Sequence, residues 1–468
     1  MSNIQGLSNT FANGGVSYWL RDSGRPSVRS ALTGPIEVDV AIVGAGLTGL
    51  WTAYYLKQSD PTLTIAVLEQ EFVGFGASGR NGGWMSAKPA GLFRHYAREG
   101  GHASAIALQR EMFGAVDESV RVANAEGFGE HVDKDGLIHV ATNPAQLTRM
   151  RSNLKSLRQN GWGDDDLFEL SPAELSDRVR VRGALGAYWT PHCARVHPMH
   201  YVQGIAAAAE RAGVRIYEGT TVTAISPHVV TTDKGEVGAR NIVQAVEGYT
   251  SSLPGQRRRL LPMNSSMIVT ERLSDSELDS VGWNGAELLG DMAHSFAYVQ
   301  RTADGRIALG GRGVPYNFAS SFDRDGKTAQ KAIGQLATRL RELFPGLGRT
   351  RLHHSWSGVL GVPRDWSAAV TYDPAAGIAT AGGYVGHGLS GTNLAARTVR
   401  DLILGEQTAL TALPWVNHRA RNWEMEPLRW IGASTLYSAY RFADRREYET
   451  ANPRTHIAAR IADAVSGR

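Results

Sequence analysis

The chain predicts an α/β protein in which a Rossmann-like domain is interleaved with an α+β domain on a mixed or antiparallel sheet. Three observations carry this reading. A strand, a glycine-rich turn, a helix and a second strand follow one another from Val38 to Glu69. Another strand, glycine loop and helix stand near the far end, from Ile378 to about Leu404. Between them, helical and hairpin-like segments read as a different sheet.

Val38-Asp39-Val40-Ala41-Ile42-Val43 is an apolar run of strand length. Gly44-Ala45-Gly46-Leu47-Thr48-Gly49 follows, then the helical Leu50 to Leu56, then the strand Leu63 to Leu68, ending at Glu69. A dinucleotide phosphate site needs that order. Gly44 permits the tight turn, and Gly46 lets the backbone approach a pyrophosphate. Gly49 lets the helix pack hard on the sheet, with its N-terminal N–H groups facing the anion. Leu47 and Thr48 complete the turn. Glu69, about 20 positions on, is placed to accept the ribose hydroxyls, with Gln70 beside it.

The segment Gly74-Phe75-Gly76-Ala77-Ser78-Gly79-Arg80-Asn81-Gly82-Gly83-Trp84 is a second glycine-rich loop. A nicotinamide cofactor does not require one so soon after the ribose acid. It suits a cofactor wrapped along its length, with N–H groups offered to a flavin ring. Gly76, Ala77, Ser78, Arg80, Asn81, Gly82 and Gly83 are its candidate contacts. With these residues the chain resembles the FAD-dependent D-amino acid oxidase-like (DAO) superfamily of amine and amino acid oxidoreductases. The Gly-Ala-Ser-Gly-Arg-Asn-Gly-Gly run is most similar to the gamma-glutamylputrescine oxidase branch.

The resemblance covers about Val38 to Leu404 and implies a glutathione-reductase-type architecture. FAD-binding segments at 36–95, 191–260 and 363–412 alternate with substrate-domain segments at 96–190 and 261–362. An arm over 1–35 precedes them and a helical tail over 413–468 follows. The resemblance implies that the Val222 backbone meets the adenine and that Gly248 passes the pyrophosphate. Many relatives carry Asn at Gly248, so only a backbone contact is left there. The strand ending at Gly361 leads back toward the flavin. Gly386, Gly388, Leu389 and Ser390 open a helix whose N-terminus would face the pyrimidine end of the ring and stabilise its anionic reduced form.

The redox step belongs to the cofactor, and the protein has to place a substrate C–H bond against the flavin. Amine oxidation by hydride loss needs a neutral amine, so a pocket that lowers the amine's pKa matters more than a strong base. Tyr298, Arg301, His354, Trp356 and His387 are the pocket candidates. Glycine neighbours fix His387 in place. Ordinary alternatives stand beside the others: Trp356 as core, His354 as a satisfied strand histidine, Arg301 as a hairpin surface charge.

Three departures from sarcosine-oxidase-like members sharpen the expectation. Those members tether FAD through a cysteine where this chain reads Gly358-Val359-Leu360-Gly361, and the one cysteine here is Cys193. FAD is therefore expected to be non-covalent. Those members also grip a substrate carboxylate with an arginine and a lysine at places that fall near Ser86 and Ser390. A carboxylate without the two cations would be buried unpaired, which is costly. The lysine that helps oxygen react in some relatives falls near Ala308. The expected function is FAD-dependent oxidation of an amine without an adjacent carboxylate, with O2 the favoured acceptor and a quinone the other. An amino acid dehydrogenase or oxidase, and a flavoprotein subunit of a larger complex, are the alternatives.

A net charge of +4 with no dense basic block gives no reason to invoke nucleic acid. No cysteine and histidine cluster has metal-ligand spacing, so no metal is expected. No apolar run reaches spanning length, and the first 35 residues lack a signal-peptide layout. A soluble cytoplasmic protein is expected. The aromatic, arginine-rich tail reads as helices that pack on the body or on a partner subunit, including a second copy.

Overall fold

The computed structural model describes residues 11–311 and 316–466. Residues 1–10 of the arm lie outside the described residues. In the first sheet, parallel pairings run through Arg215–Tyr217, Ile65–Leu68, Ile36–Val43, Gly235–Gln244 and Ile378–Gly382. Antiparallel strands extend it: Val229–Thr232 and Val222–Ser226 on one path, Ala369–Asp373 on the other. Four-residue apolar runs such as Ile65–Leu68 are buried at every position, as a parallel sheet covered on both faces requires.

The helix Leu47–Ser59 covers this sheet and is buried from Leu47 to Leu56 on all sides. A helix apolar all round belongs in a core rather than at a surface. It packs against Gly388–Leu404 and Pro198–Arg211, and Trp51 stacks on Tyr55 at 5.3 Å between ring centroids. Close approach to the sheet depends on Gly49, where a Cβ would stand 2.1 Å from the Gly44 carbonyl oxygen.

The second sheet has nine strands in the order Ala12–Asn13, Leu352–Val362, Leu261–Thr270, Ile307–Gly311, Tyr298–Arg301, Leu288–Asp291, Leu137–Ala141, Gly186–Thr190 and Phe168–Leu170. Its pairs are antiparallel except at Ala12–Asn13 with Leu352–Val362 and at Leu137–Ala141 with Leu288–Asp291. The strands of this sheet come from both sides of the second nucleotide-side block, so the chain crosses between sheets repeatedly. A small third sheet joins Trp84–Ser86, Cys193–Val196 and Val132–Asp133. The capping box at Ser171 forms as its Ser-x-x-Glu spacing predicts, with Pro172 in the first turn.

The arm packs on the body. Ser17 caps the short helix Tyr18–Ser23 and donates to the Gly79 carbonyl at 2.8 Å; the Trp19 indole donates to Asn81 O at 2.8 Å. The tail forms the helices Leu428–Thr450 and Ile457–Ser466, joined by a small core of Tyr440, Ala443, Ala459 and Ala462. No described helix is long and apolar enough to cross a membrane.

Gly49→Ala tests the close helix-to-sheet contact. The obstacle is backbone, which cannot swing aside, so the substitution is expected to destabilise the fold by about 1–3 kcal/mol and to loosen FAD. Thermal melting of the apoprotein and an FAD titration would check it; parental values in both would show that the helix is free to shift.

Candidate active site

A cavity of about 620 Å³ runs between the two sheets. At one end stand the first glycine turn, Glu69, Gln70 and Val222; at the other stand Trp84, His139, Arg149, Phe296, Tyr298 and His387. Most of the predicted cofactor residues line it: Gly44, Gly46, Leu47, Thr48, Gly76, Ala77, Ser78, Arg80, Asn81, Gly82, Gly248, Gly386, Gly388 and Leu389. Four do not. Gly49 and Gly83 serve close packing, since a Cβ on Gly83 would meet Gln300 Nε2 at 2.2 Å. The Gly361 N–H is bound by Glu247, and the buried Ser390 hydroxyl donates to Ser86 O at 2.5 Å.

Two helices open on the cavity, and neither is capped by the side chain of its own N-cap residue. Gly46 precedes Leu47–Ser59, and His387 precedes Gly388–Leu404. N–H groups at the helix ends and the helix dipole favour negative charge at both places. Ser78 Oγ already accepts from the Leu47 N–H at 2.9 Å, which fastens the second glycine loop onto the first turn. Arg80, deeply buried, donates to Phe75 O at 2.7 Å and to Arg324 O at 2.8 Å. It therefore braces the glycine loop as well as lining the cavity.

Glu69 accepts N–H groups from Ala45 and Glu71, both at 2.9 Å. Burial pushes its carboxyl up to about 7 against those two hydrogen bonds, with Glu218 and Glu71 adding repulsion. Glu247, three residues beyond Gly235–Gln244, also lines the cavity. Its carboxylate accepts from Gly361, from Gly383 at 3.2 Å and from Tyr384 at 3.3 Å. Burial raises its pKa to about 7, and these N–H groups pull the other way. Glu247 (φ 40°) and Val385 (φ 48°) both line the cavity in the left-handed region, a strained conformation for residues with a Cβ.

At the other end, Tyr298 is wedged against Gly82, where a Cβ would come 2.6 Å from the ring. Its hydroxyl pairs with Ser265 Oγ at 2.7 Å, and its ring meets Trp84 edge-on at 5.9 Å. Ser86 Oγ lies 3.1 Å from His387 Nδ1. His139 stacks on Tyr188 at 4.9 Å; burial first, then the Lys88 charge, pull it down to about 3, so it is a neutral imidazole.

Three of the pocket candidates lie elsewhere. His354 and Trp356 sit at the far end of their strand, beneath the arm. Trp19 packs on Trp356 at 5.7 Å, His354 Nε2 meets Gly14 O at 2.7 Å, and the Trp356 indole donates to Arg80 O at 2.9 Å. Both side chains are core. Arg301 follows from strand parity: Tyr298 and Gln300 face the glycine loop, while Val299 and Arg301 point the other way. Its guanidinium donates to Asn284 O at 2.8 Å and Gly285 O at 3.1 Å.

Sequence reasoning also missed cavity residues. His139 was open to detection, because Ile138 and Val140 enter the opposite core and period-2 alternation puts His139 on the other face. Arg149, Asp291 and Phe296 carry no local signal. Lys88 also lines the cavity, two residues beyond Ser86. Cys193 is buried in the third sheet, paired opposite Ser86, and is not itself a lining residue.

The group these features fit is a flavin dinucleotide, with two anion-favouring helix ends, a buried ribose-side acid and a glycine-lined cradle. A family model described as DAO, FAD dependent oxidoreductase, matches residues 39–402. The chain belongs to the DAO family of FAD-dependent oxidoreductases. It is 28% identical to the gamma-glutamylputrescine oxidoreductase of Escherichia coli (strain K12), over 86% of this chain and 92% of that protein. Glycine oxidase from Geobacillus kaustophilus shares the fold at a TM-score of 0.67 and 21% identity, covering 82% of this chain and 99% of that one. L-alpha-glycerophosphate oxidase from Mycoplasma pneumoniae, solved with FAD bound, has a TM-score of 0.60 and 16% identity over 84% and 98% of the two chains.

Two predictions follow from this geometry. An ionised Glu69 accepts ribose hydroxyls better than a protonated one, so FAD binding should favour the ionised form. With the free acid near 7, affinity is expected to fall about five- to tenfold from pH 8 to pH 6, and Glu69→Gln to flatten that profile. Flavin titration of the apoprotein across this range decides it, and a flat parental profile would contradict the role. Trp356→Ala should cost about 3–5 kcal/mol of stability, as a core truncation does, while the KM of the folded fraction stays near parental. A selective rise in KM would return Trp356 to the pocket.

Proposed function

We propose that the DAO-family site oxidises an amine lacking an adjacent carboxylate. Bound FAD, held non-covalently, supplies the two-electron acceptor. The chain's own residues then have three tasks: to bind the amine, to keep it neutral and to exclude water. Trp84, Phe296 and Tyr298 form an aromatic wall that disfavours the ammonium form by desolvation. The substrate loses a C–H bond and an N–H proton to become an imine. Water hydrolyses this to an aldehyde or ketone plus ammonia or a smaller amine.

The observation that carries the reading is the neutral pair Ser86 and Ser390. The family resemblance puts the carboxylate-gripping cations of other members near these serines, whose hydroxyls are turned to His387 and to the Ser86 carbonyl. The similarity to a gamma-glutamylputrescine oxidoreductase supports the same substrate class. Lys88 and Arg149 on the cavity wall favour a second reading, an amino acid substrate, and the fold shared with glycine oxidase is compatible with it. We take O2 as the acceptor.

Anaerobic mixing of the holoenzyme with a panel of amines and amino acids, following the flavin band near about 450 nm, separates the readings. Bleaching by a primary or secondary amine but not by amino acids is the expected result. Bleaching by amino acids alone would overturn it and assign the carboxylate to Lys88 or Arg149. Admitting O2 to the bleached enzyme then tests the acceptor.

A further inference from the structure

Arg149, on the helix Pro144–Gln159, reaches the cavity wall and is held there from outside it. Its Nε donates to Met292 O at 2.9 Å and one Nη to Glu447 Oε2 at 3.0 Å. Glu447 belongs to the C-terminal helix Leu428–Thr450, with 2% of its side chain exposed. Its other oxygen accepts the His456 N–H at 2.8 Å and lies 3.0 Å from His294 Nε2. Burial pushes this acid up, but the bonds from His294, Arg149 and His456 outweigh it and hold its pKa at about 2.

Three residues earlier on the same helix face, Asp444 accepts the N–H groups of His294 at 2.7 Å and Ser295 at 2.9 Å. The loop it holds contributes Met292, Ala293 and Phe296 to the cavity. Ligand atoms of His294, Asp444 and Glu447 lie within 4.8 Å of one another, close enough for a metal ion. The guanidinium of Arg149 stands against Glu447 instead, so one of the two carboxylates there is already ion-paired.

We propose that the C-terminal helix fixes the substrate end of the cavity. Glu447 and Asp444 are positioning residues that set where Arg149 and the Met292–Phe296 loop stand, and so which substrates fit. This rests on reading the cavity as the substrate site and names the element that selects the substrate. Neither acid has to touch the substrate. Charge-assisted hydrogen bonds in a buried setting are strong and directional, so a small loss at the helix moves the wall.

The test uses the full-length holoenzyme. Glu447→Gln turns an NH2 group toward Arg149 or the His456 N–H, both of them donors; Asp444→Asn does the same to the His294 and Ser295 N–H groups. Each is expected to raise KM about tenfold, with kcat changing less than about threefold. The kcat/KM ratio between the best substrate and an analogue one methylene shorter should fall by a similar factor. Glu447→Asp, which keeps the charge, should recover most of the loss and serves if the amide variants do not fold. The substrate is whichever amine or amino acid bleaches the flavin, so failure of the amine assignment leaves this test intact. Parental KM and parental discrimination in the folded variants overturn the proposal, including the case in which only the melting temperature falls.

Discussion

The cavity is assembled from chain segments far apart in sequence, and the carboxylate of Glu247 is where three of them meet. Glu247 stands three residues beyond Gly235–Gln244 of the first sheet, and its carboxylate gathers N–H groups from Gly361 in the second sheet and from Gly383 and Tyr384 in the last glycine loop. An ionised carboxylate offers about four acceptor sites and no donor, which suits a point where several backbone donors converge. A neutral amide would set its own donors against them. The left-handed backbone at Glu247 costs on the order of 1–3 kcal/mol, and the bonds it makes possible offset that cost. Loss of this carboxylate would leave those N–H groups without their acceptor beside the cavity.

Local rules made the nucleotide half of the molecule legible. Gly44 and Gly49 are needed because backbone must approach backbone, and that requirement is written in consecutive residues together with the strands around them. The same holds for Ile378 to Leu404. The substrate side follows different rules. Trp356 and His354 lie on a strand that does lead to the cavity, but their end of it is roofed by residues more than three hundred positions away in the arm. Arg301 failed on parity alone, one residue from a position that faces the glycine loop. Arg149 reads in sequence as one charge on an amphipathic helix; only its distant partners Met292 and Glu447 make it part of the wall.

The chain's two ends brace opposite walls. In the arm, Ser17 and Trp19 bond to Gly79 and Asn81, so the second glycine loop is held from behind. In the tail, Asp444 and Glu447 hold the Met292–Phe296 loop and Arg149. Loops lined with glycine carry high conformational freedom, and a cofactor cradle built from them needs outside support to stay in register. Here that support comes from segments beyond the matched span of residues 39–402. The segments that form the cradle and the segments that brace it are thus different parts of the sequence.

The electrostatics of the cavity follow the same division. Ser86 and His387 are hydrogen-bonded to one another, and His139 is held neutral by burial. Farther along, the charges come in matched pairs: Arg149 with Glu447, Asp291 with Arg339. Paired charges project a weak field, whereas an unpaired cation in the same place would repel an ammonium and an unpaired acid would hold it charged. Lys88 stands on the same wall, and its charge, like burial, disfavours a second positive charge beside it. On the proposed reading, that charge and desolvation by the aromatic residues both act toward the neutral amine from which hydride is lost.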